Sequence, residues 1–270
     1  TRSGLFLRVE SEDGAAGLGE AAPLPGYSPD TLDDAIQEAL SLADLAGQDV
    51  PEGLERLEGG FEAWLRARLH APSVRCGFEA AILNLLAASR GVSLRRLVAS
   101  DAQDSVPVLG LLNGNLGEIR NKAVFLQKEG YQAVKLKVGR YDLVNDVQTT
   151  RWLCQHLGNN VPLRLDANRA WDYDTAVEYA RQIAECTIAY IEEPLNDLAR
   201  LTEFASATGM RLALDETLRA VPPDGLNAVP HVTTVVLKPT VLGLERSVRL
   251  ARRARSIGMT PVISSCFETG

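Results

Sequence analysis

Histidine and cysteine are scarce in this 270-residue chain, three and four residues respectively, and neither type clusters. Cys76, Cys154, Cys186 and Cys266 lie far apart with no Cys-x-x-Cys pair. That excludes a zinc-ribbon site and favours free buried thiols in a reducing compartment over disulfides. His70, His156 and His231 fall on a helix or in loops, so none is expected as a catalytic base. Basic residues are outnumbered 28 to 35, for a net charge of −7, which argues against a nucleic-acid partner. No apolar run approaches the roughly 20 residues of a bilayer span, and no signal-type apolar segment opens the chain. A cytoplasmic protein without a membrane partner is expected, and a monomer is a sufficient reading. The chain starts at Thr1-Arg2-Ser3-Gly4 without Met and stops at Phe267-Glu268-Thr269-Gly270, so further segments are expected on both sides.

What is present changes character near residue 103. Up to there, an apolar strand at 5–9 leads into the loop Gly19-Glu20-Ala21-Ala22-Pro23-Leu24-Pro25-Gly26-Tyr27-Ser28, whose Gly and Pro density marks special backbone angles. Ser28 or Asp30 can cap a helix starting near Thr31, and helices are predicted over 61–69 and 76–89, the last apolar on nearly every side. This reads as an α+β module over 1–103. From 104 to 270 strands are predicted at 106–111, 133–138, 162–166, 189–192, 212–215, 233–238 and 260–264. Helices are predicted between them at about 118–129, 143–156, 175–185, 198–207 and 244–257, with only a short irregular piece at 222–230. Alternating βα units predict a parallel sheet. Seven of them suggest a TIM-like barrel of the (β/α)7β type whose last segment lies beyond residue 270.

The predicted strand ends carry Lys137, Asp166, Glu192, Asp215, Lys238 and Ser264, spaced 23 to 29 residues apart. Asp166 alone, closing the strand Leu163-Arg164-Leu165, reads equally as a cap for the next helix or as a ligand. Three acids on successive strands are costly without a cation. An all-oxygen set suits Mg²⁺, with Mn²⁺ possible, at the face where the βα loops of such barrels converge. Lys135 and Lys137, two apart on one strand, point to one face. Their mutual repulsion and a nearby metal are expected to lower the ammonium pKa and free an amine to act as a base. Lys238 enters from the sixth strand. Proton abstraction beside a carboxylate is the chemistry such a site can perform. A plain charge network, or a non-catalytic barrel that binds ligands, are the competing readings.

Lys135-Leu136-Lys137, Asp166-Ala167-Asn168, Ile191-Glu192-Glu193-Pro194, Leu214-Asp215-Glu216 and Leu237-Lys238-Pro239 resemble the muconate-lactonizing branch of the enolase superfamily. The strings LRLDANRAW, IEEP, VVLKPTVLG and VISSCFET are most similar to its o-succinylbenzoate synthases in their shorter proteobacterial form, and GLGEAAPLPGYS to their capping loop. The resemblance implies an N-terminal capping domain on a modified barrel, with Asp166, Glu192 and Asp215 as Mg²⁺ ligands. It implies that Lys137 takes the proton α to the carboxylate of 2-succinyl-6-hydroxy-2,4-cyclohexadiene-1-carboxylate and then protonates the departing hydroxyl in a syn β-elimination. Lys238 would stabilise the resulting enediolate from the other face. Lys135, Arg164, Asn168, Ser264 and Ser265 would line the pocket or support it. A dipeptide epimerase or N-acylamino acid racemase could use the same two lysines as opposed bases. Dipeptide epimerases carry an Asp-x-Asp near the last strand, where this chain has Ser264-Ser265-Cys266.

Overall fold

The computed structural model describes residues 2–158 and 161–268. Thr1, Gly270 and Thr269, the end of the VISSCFET string, lie outside them. Among the described residues two sheets form. β1 (Leu5–Glu10) and β2 (Ala16–Ala21) make an antiparallel hairpin. Helices α1 (Leu32–Ser41), α2 (Gly60–Leu65), α3 (Pro72–Ser89) and α4 (Leu94–Val98) follow. α3 lies directly on β2 because Gly17, Gly19 and Gly77 have no side chain. A Cβ at Gly17 or Gly19 would sit inside the van der Waals radius of the α3 backbone. Phe61, Leu65, Val74, Phe78 and Leu83 fill the core beneath the hairpin.

Thr31, rather than Ser28 or Asp30, caps α1. Its extended backbone lets Oγ1 accept the Asp34 N–H at 3.2 Å while the Asp34 carboxylate accepts the Thr31 N–H at 2.9 Å. Asp30 is buried instead and accepts the Ser73 N–H at 3.3 Å at the start of α3.

The second sheet has seven parallel strands. They are β3 (Gly110–Leu112), β4 (Val134–Lys137), β5 (Leu163–Asp166), β6 (Ile188–Glu192), β7 (Leu212–Leu214), β8 (Val232–Leu237) and β9 (Thr260–Ile263), side by side in chain order. Between them run α5 (Leu116–Lys128), α6 (Leu143–Leu157), α7 (Tyr173–Gln182), α8 (Leu201–Thr208), a 3₁₀ turn at Pro223–Gly225, α9 (Pro239–Leu242) and α10 (Leu244–Ser256). One face of every strand packs on these helices. Val134, Leu136, Leu163, Leu165, Ile191, Leu212, Val235 and Leu237 form that core with Phe204, Tyr179 and Leu250. The opposite face carries a small apolar set of Tyr190, Ala213 and Val236, and beyond it the charged residues.

The first strand of this sheet is shorter than the predicted 106–111. Val106 and Val108 stay exposed, and Pro107 has no N–H to give an edge ladder. The thiols also differ from expectation: all four are free, but only Cys266 is buried and the other three are half-buried.

α10 ties the two cores together. Leu244 and Val248 pack on the N-terminal core. The buried Glu245 carboxylate accepts three backbone N–H groups at the start of α2, from Gly59 at 3.0 Å, Phe61 at 3.2 Å and Glu62 at 2.8 Å. The Glu245 N–H in turn donates to buried Glu79 at 2.8 Å, whose carboxylate also holds Arg75 Nε at 2.9 Å.

Candidate active site

Parallel register sets the site. Lys137 pairs with Asp166 and Asp166 with Glu192, so a lysine and two acids from three strands lie in one row. Lys135, Arg164 and Tyr190 form the row one step below. Asp215 and Lys238 each lie one residue past their strand, as the residues leading into the next turn or helix. Because side chains alternate along a strand, the inward residues are charged while their neighbours Val134, Leu136, Leu165 and Ile191 enter the core.

Asp166 and Glu192 are fully buried, and Asp215 and Lys238 nearly so. Asp166 pairs with Lys135 Nζ at 2.9 Å and with Lys137 Nζ, whose close bond to it is joined by one to Asn168 Oδ1 at 2.6 Å. Lys135 Nζ also donates to Glu192 at 3.1 Å. Lys238 Nζ donates to Asp215 and, at 2.6 Å, to the hydroxyl of Tyr27, a residue of the N-terminal loop. That hydroxyl donates to Asp215 Oδ2 at 3.2 Å.

Burial alone would raise the Asp166 carboxyl, but Lys135 and Lys137 outweigh it and hold it down at about 2. Glu192 goes the other way: desolvation and the Asp166 charge hold it well above the usual carboxylate range. At Lys135 the shift runs opposite to the lowering expected of it. Burial pulls Lys135 and Lys238 down, yet the carboxylates of Glu192 and Asp166 at the first and of Asp215 at the second raise both above the ordinary lysine range. At each of the two positions the ammonium meets an acid at hydrogen-bond range.

The cap reading of Asp166 fails for a structural reason. α7 is capped by Asp172, which accepts the Thr175 N–H at 2.8 Å, while Asp166 Oδ1 accepts the N–H of Asn168 at 3.1 Å. Asn168 touches Lys137, its Oδ1 accepting from Nζ, as a residue that supports the site would. Arg164 lies over the Tyr190 ring, 5.5 Å from its centroid, with a buried Nε that has no hydrogen-bond partner among the described residues. Ser264 and Ser265 are not drawn into this network: Ser264 is half-exposed, its N–H bonds Leu237 O at 2.9 Å, and Ser265 is exposed.

Three residues escape a sequence reading. Glu193, in a left-handed conformation at φ 41°, is fully buried. It accepts the N–H groups of Asp215 at 2.9 Å and Thr217 at 2.8 Å and pairs with Arg169 at 3.1 Å. Glu216 accepts Asn168 Nδ2 at 2.9 Å. Tyr27 reaches the site only through the tertiary fold. Its loop was marked by Gly and Pro, but nothing local singled out its phenol, whose pKa burial and Asp215 push up to about 12.

The donor set suits a hard divalent cation, since the three carboxylates are buried, all-oxygen and on neighbouring strands. Among the described residues no three acid, His or Cys side chains converge on one metal-sized point. The cations these acids hold in this structure are the lysine ammonium groups.

Seven parallel strands in chain order, with helices on one face and acids and lysines gathered at the strand ends, define the α/β-barrel class of fold. The family model described as enolase C-terminal domain-like matches residues 118–270. The L-Ala-D/L-Glu epimerase of Bacillus subtilis superposes with a TM-score of 0.86 at 23% identity, covering 98% of this chain and 75% of that one, a likeness of fold. The o-succinylbenzoate synthase of Haemophilus influenzae is 33% identical over 99% of this chain and 75% of its own length. Protein PHYLLO, chloroplastic, of Arabidopsis thaliana is 33% identical over the whole chain, which spans 17% of its length. The chain belongs to the o-succinylbenzoate synthase family of the enolase superfamily, a family of hydro-lyases. No helix among the described residues is long and apolar enough to cross a membrane.

Proposed function

We propose that the chain dehydrates 2-succinyl-6-hydroxy-2,4-cyclohexadiene-1-carboxylate to o-succinylbenzoate, acting in the cytoplasm on this small carboxylate, with 1–103 as a cap over the barrel 104–270. The observation that carries this reading is two amines, Lys137 on β4 and Lys238 past β8, flanking three buried carboxylates from the strands between. Lys137, as the free amine, takes the proton α to the substrate carboxylate. It then returns that proton to the hydroxyl leaving from the same face, so one C–H and one C–O bond break and one water departs. Lys238, held by Asp215 and Tyr27, presents positive charge to the carboxylate oxygens as they gain electron density. Asp166, Glu192 and Asp215 would hold Mg²⁺, or Mn²⁺ in its place. When bound, the metal supplies charge to the same oxygens. Aromatisation drives the reaction, so the residues mainly have to carry the intermediate charge.

The test is formation of o-succinylbenzoate with Mg²⁺, beside Lys137→Ala and Lys238→Ala. Loss of product in both variants is expected. Full activity in either, or racemisation of N-succinyl amino acids without dehydration, refutes the reading.

A further inference from the structure

We propose that Glu216 is a positioning residue for the proton-transferring amine: it fixes which way round the Asn168 amide stands, and so keeps an acceptor against Lys137 Nζ. The inference deepens the reading above and rests on Lys137 being the amine that moves the proton.

Lys137 Nζ donates to Asn168 Oδ1 at 2.6 Å, and Asn168 Nδ2 donates to Glu216 Oε1 at 2.9 Å. An amide has one accepting end and one donating end. A carboxylate can only accept, so Glu216 can hold only Nδ2, which leaves Oδ1 for the lysine. Turned over, Asn168 would set a donor against an ammonium and an acceptor against a carboxylate, losing both bonds at once. With Asn168 fixed, Lys137 Nζ has two set acceptors, Asp166 and Asn168, that aim its remaining N–H direction or lone pair.

The backbone delivers this alignment. Asn168 and Arg169 are both left-handed, at φ 45° and 61°, and the Arg169 N–H is tied to Glu193 O at 2.7 Å. Arg169 Nη2 donates to Thr217 Oγ1 at 3.0 Å, so residues 168 and 169 meet 216 and 217 as two successive rungs.

A stabilising role does not explain Glu216. Its other oxygen, Oε2, is buried without a hydrogen-bond partner among the described residues. A carboxylate so placed costs stability, and a neutral replacement is expected to leave the fold as stable or more so. Orientation and stability therefore separate experimentally.

The experiment compares the full chain with Glu216→Gln, Glu216→Ala, Asn168→Ala and the Asn168→Ala/Glu216→Ala double variant in the Mg²⁺-supported dehydration assay, with melting temperatures alongside. A Gln at 216 can donate as well as accept, so it no longer dictates the amide. Each single variant is expected to lose roughly 10- to 100-fold in kcat, the range for partners that orient reacting groups, with KM within about threefold. The double variant should lose no more than Asn168→Ala, because Glu216 acts only through Asn168. The melting temperature of Glu216→Gln should match or exceed wild type. Independently of turnover, the ¹⁵N side-chain amide signals of Asn168 in the metal-free protein, assigned by their loss in Asn168→Ala, should collapse toward free-amide positions in Glu216→Ala. Wild-type kcat in Glu216→Gln, multiplicative losses in the double variant, or unmoved Asn168 signals each overturn the proposal. Those outcomes with an active wild type leave the function reading standing, whereas a wild type that forms no product sinks both.

Discussion

Glu245 is the strongest test of how the N-terminal core is held to the barrel. Its buried carboxylate is the sole side-chain acceptor found for the N–H groups of Gly59, Phe61 and Glu62 among the described residues, at 3.0, 3.2 and 2.8 Å. Glu245→Ala leaves those donors facing a void at the start of α2, where no local side chain caps the helix. Each lost charge-assisted bond is worth about 1 kcal/mol or more when its donor is left buried, and the negative charge at a helix N-terminus adds about 0.5 kcal/mol. The sum is about 3–5 kcal/mol, a large fraction of the roughly 5–15 kcal/mol that holds a domain folded. Glu245→Gln keeps the shape but turns one acceptor into a donor, and is expected to cost about 2 kcal/mol. Urea unfolding followed by circular dichroism measures the loss, and native-state hydrogen exchange at the amides of 59, 61 and 62 locates it. A Glu245→Ala protein within about 1 kcal/mol of wild type, with those amides still protected, would refute the clamp.

Asp146 is buried and accepts the Gly139 N–H at 2.6 Å, but desolvation dominates and pushes its carboxyl up to about 6. Its folded pKa lies above the unfolded one, so the fold is favoured by the protonated form and loses stability as pH rises from about 4 through 6, by up to about 3 kcal/mol. Asp146→Asn should abolish that drop, giving a higher urea midpoint than wild type at pH 8 and a similar one at pH 4. Gly19→Ala drives a methyl into the Gly77 carbonyl of α3 and is expected to cost about 1–3 kcal/mol by forcing hairpin and helix apart; a melting temperature equal to wild type would contradict the contact. Tyr27→Phe removes the hydroxyl shared by Lys238 and Asp215 and should cost about 1 kcal/mol while speeding limited proteolysis of residues 24–28. An unchanged cleavage rate would mean that this hydroxyl does not anchor the loop.

Local pattern made much of this molecule readable. Alternation with period two separates inward Lys135, Lys137, Arg164 and Asp166 from outward Leu136 and Leu165, and the structure keeps that separation. The even spacing of strand ends follows from the length of one βα unit, so the row of Lys137, Asp166 and Glu192 could be lined up before any contact was known. Errors cluster where a neighbour decides. The cap of α1 moved to Thr31 because Asp30 is occupied by Ser73, 43 residues away. The strand predicted from 106 begins only at Gly110 because nothing among the described residues pairs with residues 106–109 at the sheet edge.

Charge at Lys135 is set by a neighbour in the same way. Two lysines on one strand suggest repulsion, but at Lys135 the register supplies Asp166 and Glu192 at hydrogen-bond range, and their attraction raises its pKa instead. Identity of the inward residues, their order and their spacing are properties of the chain read along its length. The roles of Tyr27, Glu193 and Glu216 are not. Tyr27 meets Asp215 across 188 residues, Glu193 holds the turn after β7, and Glu216 takes the far end of Asn168. Those contacts join residues far apart in the chain across the left-handed turns at Asn168, Arg169 and Glu193, which only the folded chain brings together.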